Sequence, residues 1–171
     1  MRRLAAVAAL ASMAAMALPD GLAPPLSSAL GELDRTAYRC MSQARMTICR
    51  LSETGALVIA DVPALARTLV YGDGRLERVS TTVDTVHFDR LRQRLTTQLG
   101  PGEQTTERLR AGMSGALPNL LIVWRLEGRR VLLEQHFERI TQSGVSVMTP
   151  GAFDALMEDR SRRTVRGMRD F

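Results

Sequence analysis

Residues 65–83 read Leu-Ala-Arg-Thr-Leu-Val-Tyr-Gly-Asp-Gly-Arg-Leu-Glu-Arg-Val-Ser-Thr-Thr-Val. Two β-prone runs flank Gly72-Asp73-Gly74. Asp-Gly between such runs marks a hairpin, because its turn needs a positive φ that glycine adopts without steric cost. On the returning strand, Arg75 to Val83, residues Val79, Thr81 and Val83 alternate on one face. Leu76 falls out of step with that face, which predicts a β-bulge nearby. Ala56-Leu57-Val58-Ile59-Ala60 adds a short β-prone run ahead of the hairpin.

Downstream, Phe88, Leu91, Leu95 and Leu99 form the stripe of an amphipathic helix running from about Val86 to Leu99. Asp84 or Thr85 caps its start, and Gly100-Pro101 ends it. The opposite face carries Arg90, Arg92, Arg94 and Gln98 and reads as solvated. Positions 102–118 are polar and glycine-rich and read as a loop with at most one helical turn. Three strands then follow as a meander, Asn119 to Leu126, Arg129 to Phe137 and Gly144 to Thr149, the first two joined by a turn at Glu127-Gly128. Beyond Pro150, residues Phe153, Leu156 and Met157 predict a short helix that runs into an arginine-rich tail.

Upstream, Leu26, Leu30, Leu33, Ala37 and Met41 recur at steps of three or four, which predicts a helix over 26–41. Pro24 and Pro25 precede it, and Ser27 or Ser28 would cap it. This helix would deliver Cys40 to a loop closed by Cys49. Two cysteines nine positions apart in an otherwise cysteine-free chain are expected to bridge in an oxidising compartment. Closing so short a loop stabilises a fold by roughly 2.5–3 kcal/mol in the chain-entropy model. A redox-active pair or a metal site are the alternatives, but C-x8-C lacks thioredoxin spacing and no His or third Cys lies near.

The first residues, Met1-Arg2-Arg3, precede an apolar run from Leu4 to Leu18 that ends at Ala15-Met16-Ala17. A charged start, a short apolar middle and an A-x-A exit predict a secretory signal peptide over 1–17, cleaved near Ala17. The run is shorter than the ~20 apolar residues that a membrane-spanning helix needs. No transmembrane span is therefore expected in the mature chain, which would be periplasmic or secreted.

All 23 basic residues are arginine, a bias that GC-rich coding explains better than selection for phosphate binding. Positions 18–159 hold 16 Arg against 17 acids, whereas 160–171 hold five Arg against Asp170 alone. The excess charge therefore sits in Arg160, Arg162, Arg163, Arg166 and Arg169. In an envelope compartment such a tail meets anionic phospholipid and lipopolysaccharide head groups, and no nucleic-acid partner is expected.

Several of these residues carry a resemblance. Ala60-Asp61-Val62-Pro63, Tyr71 with Gly72-Asp73-Gly74-Arg75-Leu76, Phe88 to Gly100-Pro101, Gly115, Asn119, Trp124 and Ser143 to Val147 resemble a family of small secreted proteobacterial proteins that is itself uncharacterised. The resemblance spans about 55–149. It implies a hairpin, a helix and a three-stranded meander in one α+β layer structure, and it implies no catalytic residue.

Catalytic motifs are sparse. Gly112-Met113-Ser114-Gly115-Ala116 falls one glycine short of a nucleophile elbow and follows a loop rather than a strand. No phosphate-cradling G-x-x-x-x-G-K or G-x-G-x-x-G occurs. His87 falls in the first turn of the central helix, as a surface or capping residue. His136, Glu134 and Arg130 share a strand face by alternation, but two metal ligands do not make a site of three or four. That face reads as an exposed charge ladder. Glu134 with Glu138, or Asp84 with Asp89, would be the carboxylate pairs for glycoside hydrolysis, yet paired acids arise by chance and the chain is poor in aromatics. Trp124 alternates with Leu120, Ile122 and Leu126 and belongs to the core.

Together these patterns predict an α+β fold: an N-terminal helix, a β-hairpin, a central helix, a three-stranded antiparallel meander packed as one layer structure, and a short C-terminal helix. The boundaries are 1–17 for the signal peptide and 18–54 for the N-terminal helix and disulfide loop. The α+β domain occupies 55–150, and the short helix with its Arg-rich tail 151–171. Functionally, they predict a non-catalytic envelope module that uses no cofactor or metal and binds an envelope protein or an anionic lipid surface through its sheet or tail. The alternative is a small periplasmic hydrolase using Glu134 or His136.

Overall fold

A computed structural model of the chain describes Leu22, Leu26 and residues 28–52, 57–110 and 116–169, without the side chains of Arg110 and 163–169. The expected signal peptide, the proposed caps of the N-terminal helix at Ser27 and its two prolines, and the Gly112 to Gly115 segment lie outside the described residues.

The expected α+β layer is overturned. The described chain is dominated by one nine-stranded antiparallel sheet, with two α-helices: β1 (Tyr38–Gln43), β2 (Met46–Leu51), β3 (Val58–Ile59), β4 (Val62–Gly72), β5 (Arg75–Asp84), α1 (Phe88–Leu99), β6 (Glu103–Arg110), β7 (Ala116–Leu126), β8 (Arg129–Glu134), β9 (Gln142–Met148) and α2 (Pro150–Arg169). The strand order is β1-β2-β4-β5-β9-β8-β7-β6, with β3 paired to β4 alone. The meander does form, but it is inserted beside the hairpin, β9 lying against β5.

The predicted N-terminal helix is replaced by a 3-10 turn at Leu30–Glu32 and by strand β1. Leu26, Leu30 and Leu33 do pack on the core, but from an irregular segment, so their helical spacing is a spacing of contacts and not of turns. Asp34 then accepts bonds from the Thr36 amide and hydroxyl at 3.0 and 2.6 Å, a local turn that competes with helix. Cys40 and Cys49 therefore meet across a hairpin. They are direct register partners in β1 and β2 and form a disulfide, with Cα atoms 4.0 Å apart. The two-residue turn, Ala44-Arg45, holds Ala44 at φ 50° and lacks the Asn-Gly or Asp-Gly signature.

The predicted loop over 102–118 is likewise corrected, since most of it is strand: β6, and the start of β7. The hairpin at Asp73-Gly74 forms, both residues having positive φ. A register shift falls between Val70 and Tyr71, opposite Leu76. The expected short C-terminal helix is a 20-residue element.

One face of the sheet is closed by α1. Phe88, Leu91, Leu95 and Leu99 pack on Val83, Ile122, Trp124, Val131, Leu133, Val145 and Val147. Trp124 donates its indole N–H to the Gly100 carbonyl at 2.8 Å, and Gly102 admits the Ile122 and Trp124 side chains where a Cβ would lie 2.6 Å from Ile122 Cγ2. The same face continues toward β1 through Cys49, Leu69, Tyr71, Leu76 and Val79. On the opposite face α2 covers β6 to β9, its Phe153 packing with Leu121, Leu132 and Met148. Arg125 stacks on the Phe153 ring at 5.5 Å.

Candidate functional site

Two regions of the α2 face carry chemistry. The first lies under α2. Glu134 ends β8 and points toward the helix. It is only 3% exposed, against the expectation of an exposed charge ladder. Its Oε2 accepts from Arg160 Nη2 at 2.5 Å, while its Oε1 is buried without a hydrogen-bond partner among the described residues. Arg160 Nη1 also donates to Glu107 Oε1 at 3.1 Å, and Asn119 Nδ2 donates to the same oxygen at 2.9 Å. Asn119 Oδ1 accepts from the His136 amide at 2.7 Å. One polar chain thus ties α2 to β6, β7, β8 and the 135–141 bend.

Burial raises the Glu134 pKa above its ordinary value of 4.5, and the adjacent Arg160 offsets this only partly. Arg78, on the same face of β5, has its pKa lowered by burial, with the Glu134 charge acting in the opposite sense. A cavity of about 300 Å³ opens beside this network, lined by Glu107, Leu109, Glu134, His136, Phe137 and Arg160 among others.

The strand-face grouping predicted for His136 does not form, because β8 stops at Glu134 and His136 lies in the bend beyond. Its ring Nδ1 is 2.8 Å from the Ile140 carbonyl. Glu138 turns to Arg50 at 3.6 Å, Asp84 Oδ1 accepts from the Val86 amide at 2.9 Å, and Asp89 pairs with Arg92 at 2.9 Å. Each of the four carboxylates thus has a partner of its own. His87 belongs to a 3-10 turn and is the residue preceding α1. Among the described residues, no group of three or more His, Cys, Asp and Glu is placed to hold a metal.

Of the tail arginines, Arg160 is held inward, its side chain 23% exposed. Arg162 is exposed and pairs with Glu158 at 3.5 Å. The side chains of Arg163, Arg166 and Arg169 lie outside the described residues, although the helical backbone continues to Arg169.

The second region is the other end of the same face. Met41, Ile48 and Val70 are cross-strand partners on β1, β2 and β4. Met41 is 76% exposed and Met46 43%. The disulfide fixes β1 to β2 here, while on its outer side no strand pairs with it among the described residues. β6 is open in the same way at the far end of the sheet.

Sequence reading missed Glu107, Asn119 and Arg78 as members of the network around Glu134 and Arg160, and missed Arg39 and Met41 as edge-strand residues. Asn119 alone carried a signal, as a residue of the resemblance. No helix among the described residues is long and apolar enough to cross a membrane. In comparisons with protein families, curated proteins and solved structures, the chain matches none.

Proposed function

We propose that the chain is an exported, non-catalytic interaction module of the cell envelope that binds a partner through its sheet. The observation that carries this is the sheet's two edges, β1 and β6, with which no further strand among the described residues pairs, so that their outer backbone donors and acceptors stay open. The Cys40–Cys49 disulfide supports export, because such bonds persist in oxidising compartments. So do the charged, apolar and A-x-A segments of residues 1–17 and the resemblance to small secreted proteins. Partner binding fits the side-chain chemistry better than hydrolysis does: Glu134 is engaged by Arg160, and the His136 ring by a main-chain carbonyl.

The test places a photocrosslinking residue in turn on β1, on β6 and on the solvent face of α1, in chains expressed in the native envelope. Adducts with one defined partner from an edge position, absent from the α1 position, are expected. Equal adducts everywhere, or a turnover abolished by Glu134→Gln in a folded chain, would refute the reading.

A second reading concerns the tail. The helical backbone of α2 runs to Arg169, which places positions 162, 166 and 169 on one side at i, i+4, i+7 spacing, as an anionic lipid surface requires. Liposome flotation of a chain ending at Arg160 tests it. Arg160 must be kept because it holds the helix to the sheet, and undiminished flotation of the shortened chain would rule the anchor out.

A further inference from the structure

The register of the β1–β2 hairpin determines which groups face outward. Gln43 and Met46 flank a two-residue turn and form a hydrogen-bonded pair, so Ser42 with Thr47 and Cys40 with Cys49 are non-hydrogen-bonded pairs. The 4.0 Å separation of the cysteine Cα atoms agrees. The N–H and C=O groups of Tyr38, Cys40 and Ser42 therefore point away from β2. The strand contains no proline, and its register to β2 is unbroken, so two common protections of a sheet edge are absent.

Side chains on the α2 face of this edge specify what fits it. Arg39 lies directly opposite Arg50, an unfavourable like-charge pair. Arg50 is answered by Glu138 at 3.6 Å, whereas Arg39 has no carboxylate partner among the described residues. Two positions on, exposed Met41 ends the apolar row that runs inward through Ile48 to buried Val70. Pairing of β1 with β1 of a second copy does not fit. Antiparallel registers joining the outward-facing groups of two β1 strands set Arg39 against Met41, Gln43 or Arg39 of the second copy, never against an acid.

Resting on the interaction reading above, we propose that β1 is the docking strand for an extended segment of a partner protein, which adds antiparallel to the sheet with an apolar residue opposite Met41 and a carboxylate opposite Arg39. Main-chain bonds to Cys40 and Ser42 supply the pairing, and the disulfide holds Cys40 in place before the partner arrives. Arg39 supplies selectivity: it attracts an acidic strand and repels a basic one.

The probe is a capped synthetic peptide, Thr-Gln-Thr-Val-Thr-Glu-Thr, which sets Gln against Gln43, Val against Met41 and Glu against Arg39. Titrated into the oxidised protein and followed by amide NMR, it should shift the Tyr38 to Ser42 signals. Its Lys-for-Glu analogue should bind roughly fivefold more weakly, and Arg39→Glu should invert that preference. Ser42→Pro removes one outward donor and the 2.9 Å hydroxyl bond to Thr47 but none of the main-chain bonds to β2, so it should abolish binding while lowering the thermal midpoint only slightly. Three results would overturn the assignment: equal affinity for the two peptides, shifts confined to β6 or α2, or light scattering that shows the chain already dimerised through β1. If edge crosslinks in the envelope come from β6 alone, the interaction reading survives and the β1 assignment falls.

Discussion

Replacing Arg160 by methionine should cost far more than removing the charge it neutralises. Methionine keeps most of the apolar stem of the arginine, so the change isolates the guanidinium. Without it, Glu134 is left buried at 3% exposure with neither oxygen bonded. Breaking a buried pair in this way costs roughly 3–5 kcal/mol, and the lower end applies because the Arg160 side chain keeps 23% exposure. For a domain of this size about 3 kcal/mol lowers the thermal midpoint by roughly 6–12 °C. Glu134→Gln should behave differently, because Arg160 still donates to Glu107 at 3.1 Å and a desolvated carboxylate has been removed. Its cost should stay within about 1 kcal/mol. Calorimetry on both single variants and the double variant, near neutral pH and again near the ordinary carboxylate value, closes the cycle. The double variant should recover most of what Arg160→Met loses, and the Arg160→Met deficit should shrink in acid as Glu134 takes up a proton. A deficit equal at both pH values, with no recovery in the double variant, would show that Arg160 acts by packing alone.

The same carboxylate sets a pH dependence. Burial holds the Glu134 pKa above its ordinary 4.5, so the folded chain takes up a proton before the unfolded chain does. Stability contributed by this residue therefore rises as pH falls through the folded value toward 4.5, and urea midpoints measured across that window should show wild type gaining on Glu134→Gln as the pH is lowered. Converting both Cys40 and Cys49 to serine should cost roughly 2.5–3 kcal/mol in chemical denaturation, with an added penalty for a hydroxyl at buried position 49. Gly144→Ala should cost about 1–3 kcal/mol and displace the 135–141 bend, because the new Cβ would lie 2.5 Å from the Phe137 ring. Faster hydrogen exchange at the His136 amide is the readout.

The parts of the fold that were legible are those that bury apolar surface. The α1 stripe, the Asp73-Gly74 hairpin with its bulge, and the alternation around Trp124 all left a periodic apolar pattern, and each was located within a few residues. β1 and β6 left none. Tyr-Arg-Cys-Met-Ser-Gln is largely exposed, and Glu-Gln-Thr-Thr-Glu-Arg-Leu-Arg is exposed at most of its positions. With no buried face there is no period-two signal, and the leucines ahead of β1 supplied a false helical one. The Glu134 network was hidden for another reason. Its members, Arg78, Glu107, Asn119, Glu134 and Arg160, lie on four strands and a helix, and only the topology brings them together.

The blind spot of sequence reading and the proposed surface coincide, and the coincidence has a physical cause. A strand shows its pattern when it is closed in by its own chain, on a face or along an edge. A strand kept open for another molecule has its second side completed only in the complex, so its residues follow the partner's requirements: at β1, an arginine facing another arginine and a methionine facing solvent. Taken alone, both choices disfavour the free hairpin. On the proposed reading, the covalent link between Cys40 and Cys49 offsets that cost and keeps the edge ordered before a partner binds. On this logic reduction should loosen β1 selectively, with amide exchange accelerating at Met41 and Gln43, whose bonds to β2 define the hairpin, well before any change at β5 or β9. Uniform acceleration across the sheet would mean that the disulfide stabilises the whole fold and has no particular relation to the open edge.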